Sequence, residues 1–301
     1  LGSQSFDDFD IVVVSNASNA QIQDTVSRSP VAYKARLIQS EINRGYGAAC
    51  NLGARHSNAA FLVFLNDDTY FREDWLDELY KALCTERTTI LQSTIFHELT
   101  GETRKGNPCD IYGAAGITFY RGCGTGGFFA SGASLAMSKM TVDALGGFDE
   151  ILFMYHDDVD LCWRARLMGF KISAAPNALC YHSGAGSSRS TPSTLKFYLT
   201  QRNRIRVLLK CYSRSRLLPR LLVVSVLIFT GAMLLALKAR QVGFIVSGIK
   251  VFGWNLRILH NTLQERYLLQ RKRAVDDSSI EQAMSSYSMD ICLLKRNFRK
   301  V

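Results

Sequence analysis

The sequence predicts an α/β protein with a doubly wound sheet, followed by a helical, apolar and basic final third. Three observations carry this. Short apolar runs without polar alternation, as in strands covered on both faces, recur at Ile11 to Val14 and Ala60 to Leu65. Each run ends in turn chemistry, and helical spacing follows. The charge is also divided: residues 1–195 hold 16 basic and 21 acidic side chains, whereas residues 196–301 hold 20 and 5.

A chain of 301 residues that is 47% hydrophobic and 21% charged can bury a sizeable core, which excludes a disordered or collagen-like protein. The net charge of +10 belongs to the last third. Eight dispersed cysteines, Cys50, Cys84, Cys109, Cys123, Cys162, Cys180, Cys211 and Cys292, form no CxxC pair or zinc-like spacing and read as reduced thiols in cytoplasm. Asp7, Asp8 and Asp10 stand where a secretory signal would need basic and then apolar residues. Because Leu1 stands first rather than Met, the chain reads as a fragment or a processed form.

Taken in order, the strand Ile11 to Val14 runs into the turn Ser15-Asn16-Ala17-Ser18-Asn19. A second, Gly-rich turn, Asn43-Arg44-Gly45-Tyr46-Gly47, opens a helix over 48–57, whose N-terminus offers unpaired N–H groups to an anion. The strand Ala60 to Leu65 delivers Asn66-Asp67-Asp68-Thr69 at its carboxyl end, where ligands of such sheets bind. Trp75, Leu76, Leu79 and Leu83 give a helix with Asp74 as its N-cap. Residues 98–127 read as irregular or hairpin, Phe128 to Met137 as a strand, the segment from Asp157 as a helix, and Phe170 to Ser173 as a strand ending before Pro176.

Near the end, Leu221 to Leu237 is an uncharged run of 17 residues between Arg220 and Lys238, and Val242 to Leu259 is a second apolar stretch broken by Lys250. Seventeen helical residues span about 26 Å, slightly less than a hydrocarbon core of about 30 Å. A membrane association is expected, with crossing marginal and a core helix bundle as the alternative.

Three constellations could carry chemistry. Two carboxylates and an amide at a strand end, Asn66, Asp67 and Asp68, suit Mg²⁺ or Mn²⁺, which use few protein ligands together with substrate phosphates; a solvated turn capping the next helix is the plainer alternative. Asp157, Asp158 and Asp160 follow Gly146-Gly147-Phe148-Asp149-Glu150 and begin a helix. There the helix dipole favours their ionised form, and one could act as a general base. An N-cap plus an Asp160–Arg164 ion pair is the alternative. His182, after Cys180 and Tyr181, taken alone reads as a hydrogen-bonded structural residue. His56, His97 and His260 read as structural or surface, and His156 stands where it could orient the acids.

IVVVSNAS, NRGYGAACNLG, FLVFLNDDT, GGFDEILFMYHDDVDLCWRARLMGF and PNALCYHSGAGSS occur in the order and spacing of the family 2 glycosyltransferases, and the chain most resembles their rhamnosyltransferase-like branch. The resemblance covers residues 1 to about 210. It implies a GT-A fold, Rossmann-like with a mixed sheet, a nucleotide-sugar donor and inversion at the anomeric carbon. It also implies roles: Asn16 contacts the donor's base, and Asn43 and Gly45 line the nucleotide pocket. Asn66, Asp67 and Asp68 form the DXD-type element, with Asp68 the metal-binding carboxylate. His182 completes metal binding, Asp158 is the catalytic base, and Asp157 shapes the acceptor side.

Two departures accompany the resemblance. Ser15 stands where the family usually has Asp, and Leu1 to Asp10 looks like the stretch after the family's first strand and helix, so that opening strand is expected to be missing. On this basis residues 1–210 form a transferase domain lacking its first strand, and residues 211–301 a basic, apolar, membrane-associated segment at the cytoplasmic face of the cell membrane. That segment is peripheral or carries one or two membrane segments. The +15 of the last third makes a glycan or lipid-linked acceptor the natural expectation. Arg202-Asn203-Arg204 resembles the family's post-catalytic helix; a solvated basic face is the alternative. A nucleic-acid partner is not expected, because the uncharged run has no role in such a surface and no aromatic residues interleave with the basic ones. A non-catalytic membrane scaffold with a degenerate transferase domain is the competing reading.

Overall fold

The computed structural model describes residues 1–16, 20–85, 89–115, 127–184, 193–286 and 288–290. The described chain forms two compact units. One comprises residues 1–106, 130–161 and 171–188; the other comprises 107–129, 162–170 and 189–301. Cys123 and Cys292 lie outside the described residues; the other six cysteines are free thiols.

In the first unit, β1 (Ile11–Ser15) pairs in parallel with β2 (Ala35–Gln39), the crossover being α1 (Ala20–Ser27). A second, six-stranded sheet is built from β3 (Phe61–Leu65), β4 (Thr69–Phe71), β5 (Thr89–His97), β6 (Glu102–Arg104), β7 (Ser134–Ser138) and β8 (Lys171–His182). Its order is β3-β7-β5-β8-β4, with β6 folding back on β5 as a hairpin. Only β5 and β8 pair in parallel along this path, so the sheet is mixed. The helices α2 (Tyr46–Arg55), α3 (Trp75–Thr85), α4 (Lys139–Leu145) and α5 (Asp157–Leu167) complete the alternation, α5 passing into the second unit at Cys162.

The core explains the pattern of α3. Trp75, Leu79 and Leu83 recur at helical spacing and pack against Leu91 and Ile95 of β5, Ala136 of β7 and Ala178 and Cys180 of β8. Small residues on the strands leave room for the indole, whose Nε1 donates to Ser93 Oγ at 2.9 Å.

Two strand boundaries differ from expectation. β7 begins only at Ser134, because Ser131 to Ala133 form a turn: Ser134 N donates back to Ser131 O at 3.2 Å. β8 does not stop before Pro176 but continues to His182. Its register on β5 shifts where Ala175 faces Ser93 and Leu179 faces Thr94, so residues 176–178 bulge out, and proline needs no ladder N–H there. Thr94 Oγ1 donates to Pro176 O at 3.0 Å and closes the bulge. This carries the strand on to His182.

The second unit is helical: α6 (Thr194–Cys211), α7 (Arg214–Ala239), α8 (Gly243–Arg257), α9 (Leu259–Arg271) and α10 (Asp277–Gln282). Arg204 and Arg206 of α6 are buried rather than on a solvated face. Burial of guanidinium is tolerated because each is hydrogen-bonded: Arg204 to Tyr112 O at 2.7 Å and to Asp290 at 2.8 Å, Arg206 to Thr262 Oγ1 at 2.6 Å and Asn261 Oδ1 at 2.9 Å. Arg202 stacks over Trp254 and Tyr198.

The apolar run lies within the 26-residue α7, about 39 Å long. Among the described residues it is the one helix long and apolar enough to cross a membrane. Val224, Ile228, Ala232 and Ala236 are its buried residues, at a spacing of four. Phe229 stacks on Phe252 of α8, and Ala232 lies close to Gly248. Leu218, Leu222, Val226, Met233 and Leu237 are exposed, so α7 is apolar on the face its neighbours leave open.

Candidate active site

The site of the first unit is assembled from turns at strand ends. Gly45 precedes α2 with φ of 89°, a left-handed value in which glycine is unstrained. Asn43 Oδ1 accepts from Gly45 N at 2.9 Å, which closes the Gly-rich turn, and Asn16 at the end of β1 donates through Nδ2 to Gly45 O at 2.8 Å. The first two sequence motifs thus meet in one cluster, Asn16, Asn43 and Gly45.

That cluster is tied to the acids. Tyr46 N donates to Phe153 O at 2.9 Å, and a Cβ on Gly45 would stand 2.0 Å from the same carbonyl oxygen. Asn51, one turn further along α2, accepts from Phe148 N at 2.8 Å and donates to Phe148 O at 2.9 Å. Between these anchors and α5, Phe153, Tyr155 and His156 all have positive φ, at 67°, 68° and 63°. Backbone so strained persists only where its surroundings hold it, and it commonly lies at working sites.

Asp157 and Asp158 form the first turn of α5. Asp158 Oδ2 accepts from Gly132 N at 3.2 Å, and its Oδ1 from Val159 N at 2.8 Å. Burial pushes the pKa of both carboxyls upward; the adjacent Asp158 adds to the rise at Asp157, and backbone N–H groups moderate it at both. The two carboxyls titrate as a coupled pair, and the carboxylate oxygens of Asp158 are the ones held by Gly132 and Val159. His156 is buried immediately before the pair.

The remaining predicted residues meet on the sheet. Asn66 N donates to Ala133 O at 3.3 Å, in the turn whose Gly132 contacts Asp158. Thr69 lies opposite His182 in the β4–β8 ladder, and Ser183 N donates to Asp68 O at 3.0 Å. Asp68 Oδ1 therefore comes to 3.1 Å from His182 Nε2. Asp67 is exposed beside them.

Asp68 Oδ1 is buried without a hydrogen bond, although His182 Nε2 lies 3.1 Å away. Two ligand atoms each about 2.1 Å from one octahedral ion stand about 3 Å apart. The orphaned oxygen and the imidazole nitrogen fit that pattern. Among the described residues no cluster of three or more His, Cys, Asp or Glu side chains converges, so an ion here would draw its other ligands from diphosphate and water, as Mg²⁺ commonly does.

One residue of this group escaped the sequence reading. His97 Nδ1 lies 3.2 Å from His182 Nδ1 because β5 and β8 end in register, His97 opposite His182. Burial, Arg104 and His182 lower its pKa to about 4, so His97 is neutral at physiological pH. Nothing local marks His97; only the long parallel pairing through the Pro176 bulge brings it there.

Comparison with known proteins agrees with this architecture. Residues 1–140 match the family described as Glycosyl transferase family 2. The chain is 25% identical over 224 residues to the low-salt glycan biosynthesis hexosyltransferase Agl10 of Haloferax volcanii, covering 68% of this chain and 69% of that one. It is 29% identical over 164 residues to the pre-mycofactocin glycosyltransferase of Mycobacterium tuberculosis, covering 52% of this chain but only 34% of that longer protein. Among solved structures, S. aureus TarS 1-349 in complex with UDP-GlcNAc superposes with a TM-score of 0.56 at 16% identity, over 94% of this chain and 84% of that one. The mannosyltransferase PcManGT from Pyrobaculum calidifontis, in complex with GDP-Man and Mn²⁺, gives 0.51 at 14% identity, over 84% and 81%. At such identities the structural likeness speaks for the fold. Residues 1–140 thus resemble the family 2 glycosyltransferases, and the mixed sheet they help to build is of the GT-A type.

Proposed function

We propose that the protein is an inverting glycosyltransferase that moves a hexose from a nucleotide-sugar donor to a glycan or lipid-linked acceptor at a membrane surface. The transferase domain runs to about residue 210, and residues 211–301 supply the membrane association. What supports the reading most is the continuous chain of contacts from Asn16 and Gly45 through Phe153, and from Asp158 through the 131–133 turn to Asn66.

Asn16 contacts the donor's base, Asn43 and Gly45 line the nucleotide pocket, and Asn66 and Asp67 face the donor. Asp158 takes the proton of the acceptor hydroxyl as its oxygen attacks the anomeric carbon. The nucleoside diphosphate departs from the opposite face, which inverts the centre. Asp157, buried beside the base, shapes the acceptor side. Asp68 and His182 would hold Mg²⁺ or Mn²⁺, which when bound offsets charge developing on the diphosphate. The sugar is rhamnose if the resemblance extends to its branch.

The test is a set of UDP-, GDP- and dTDP-sugars in a thermal-shift assay with Mn²⁺. A bound donor at about 100 times its Kd adds about 2.7 kcal/mol to stability, an easily resolved rise in midpoint. The rise should vanish with chelator and in Asp68→Asn, whose amide is a poor replacement for the anionic ligand. A donor that binds but is never hydrolysed or transferred, or no stabilisation by any donor, removes the enzyme reading and favours the scaffold.

The membrane part has its own test. The exposed apolar residues of α7, among them Leu222 and Met233, form the surface that enters the lipid, and the basic residues of this unit favour anionic headgroups. The protein should float with anionic vesicles and less with neutral ones. Leu222→Asp with Met233→Asp should abolish flotation, since each buried carboxylate costs about 2.5 to 3.5 kcal/mol at a helix centre. Unchanged flotation would place the contact elsewhere.

A further inference from the structure

We propose that Tyr46 is a positioning residue for the base: through Gly132 it fixes the N–H that holds Asp158 in place. The inference rests on Asp158 being that base. Four elements meet at the turn Ser131 to Ala133. Ser131 N donates to Gln92 Oε1 of β5 at 2.7 Å, and Ala133 O accepts from Asn66 N at the end of β3. Gly132 N donates to Asp158 Oδ2 of α5, and Gly132 O accepts from Tyr46 Oη of α2 at 2.7 Å.

Gly132 is therefore gripped from both sides. A Cβ there would stand 2.9 Å from Tyr46 Oη and 3.0 Å from its ring, so the phenol occupies the space a side chain would take. The tyrosine is itself immobilised, by its own N–H on Phe153 O and by edge contact with the Phe148 ring at 5.7 Å. Because Tyr46 directly follows Gly45, whatever orders the nucleotide turn also orders the grip on Gly132.

Withdrawing the Gly132 N–H leaves the Asp158 carboxylate with only the backbone N–H groups of Val159 and of Asp158 itself, both local to its own turn. The ionisable groups around it are Asp157, Asp160 and His156 on its own segment, and Tyr46 and Cys50 from α2. The charged form of Asp158 is then less favoured.

The experiment compares wild type, Tyr46→Phe and Gly132→Ala in pH–rate profiles with donor and acceptor. Each variant should lose about 3- to 10-fold in kcat, with donor KM within about twofold. The acid limb should move up by about 0.5 to 1 pH unit. Limbs that superimpose on the wild-type limb overturn the proposal, even if the variants melt earlier, because a merely structural role predicts that outcome. The unmodified protein, isotope-labelled at glycine, supplies an independent reading. The Gly132 amide resonance should follow a carboxylate titration above the ordinary range, and an amide indifferent to pH overturns the contact. Absence of any transfer by wild type would defeat the transferase reading while leaving the resonance test intact.

Discussion

Asp158→Asn is expected to lower kcat/KM by about 10²- to 10⁴-fold, the usual contribution of a positioned general base, while donor binding stays measurable. The amide preserves shape, but its single oxygen can replace only one of the two carboxylate oxygens that accept from Gly132 N and Val159 N, so one of these hydrogen bonds is lost and the fold is weakened rather than broken. What disappears is the capacity to take a proton. The wild-type profile carries a matching signature. Because burial raises both acids of the pair, the base is lost as pH falls through a midpoint above that of an ordinary carboxylate, and activity declines on the acid side earlier than an exposed Asp would allow. Stability has the opposite sign: burying these carboxyls favours their protonated form, so their contribution to folding is present at low pH and lost as pH rises through the raised midpoints. Near-normal turnover of Asp158→Asn would remove the base assignment.

Gly45→Ala is expected to be the most damaging single methyl in the molecule. At φ of 89° an L-residue is strained by about 1–2 kcal/mol before any contact is counted. The added Cβ would also lie 2.0 Å from Phe153 O and 2.6 Å from its carbonyl carbon, both backbone atoms. Relief requires parting the nucleotide turn from the 153–156 segment, which breaks the Tyr46 N to Phe153 O hydrogen bond and disturbs the Asn16 contact. The sum is about 3 kcal/mol or more, read as a lowered denaturant midpoint, and donor-dependent stabilisation should vanish with it. An unchanged midpoint would show that the two turns are not locked together.

Both predictions concern the join between α2 and the segment before α5, and that join was only half legible in the sequence. Gly45, Asp157 and Asp158 could be picked out from residue type and position. The partner Phe153, and the left-handed backbone at Phe153, Tyr155 and His156, could not: the residues are aromatic and carry no turn signature. Strain of this sort is imposed by packing, here by Asn51 gripping Phe148 on one side and by α5 on the other.

Local pattern by itself determined the strands β1 and β3, the helices α2, α3 and α5, and the delivery of Asn66 to Asp68 at a strand end, although the apolar residues of β1 are only half-buried and β3 is fully buried on one face alone. A short continuous apolar run marks a strand wherever the sheet covers it, and helix spacing is written in every turn. Tertiary structure alone decided the extent of β8, the burial of Arg204 and Arg206, and the company that His182 keeps. Pro176 read as a stop, yet a bulge absorbed it, so the strand ran on until His182 faced Asp68 and His97. Pairings such as these join residues 85 and 114 positions apart, and no window of sequence short enough to carry a periodicity contains both partners. Their separation is set by sheet register and helix packing, energies that belong to the folded chain as a whole.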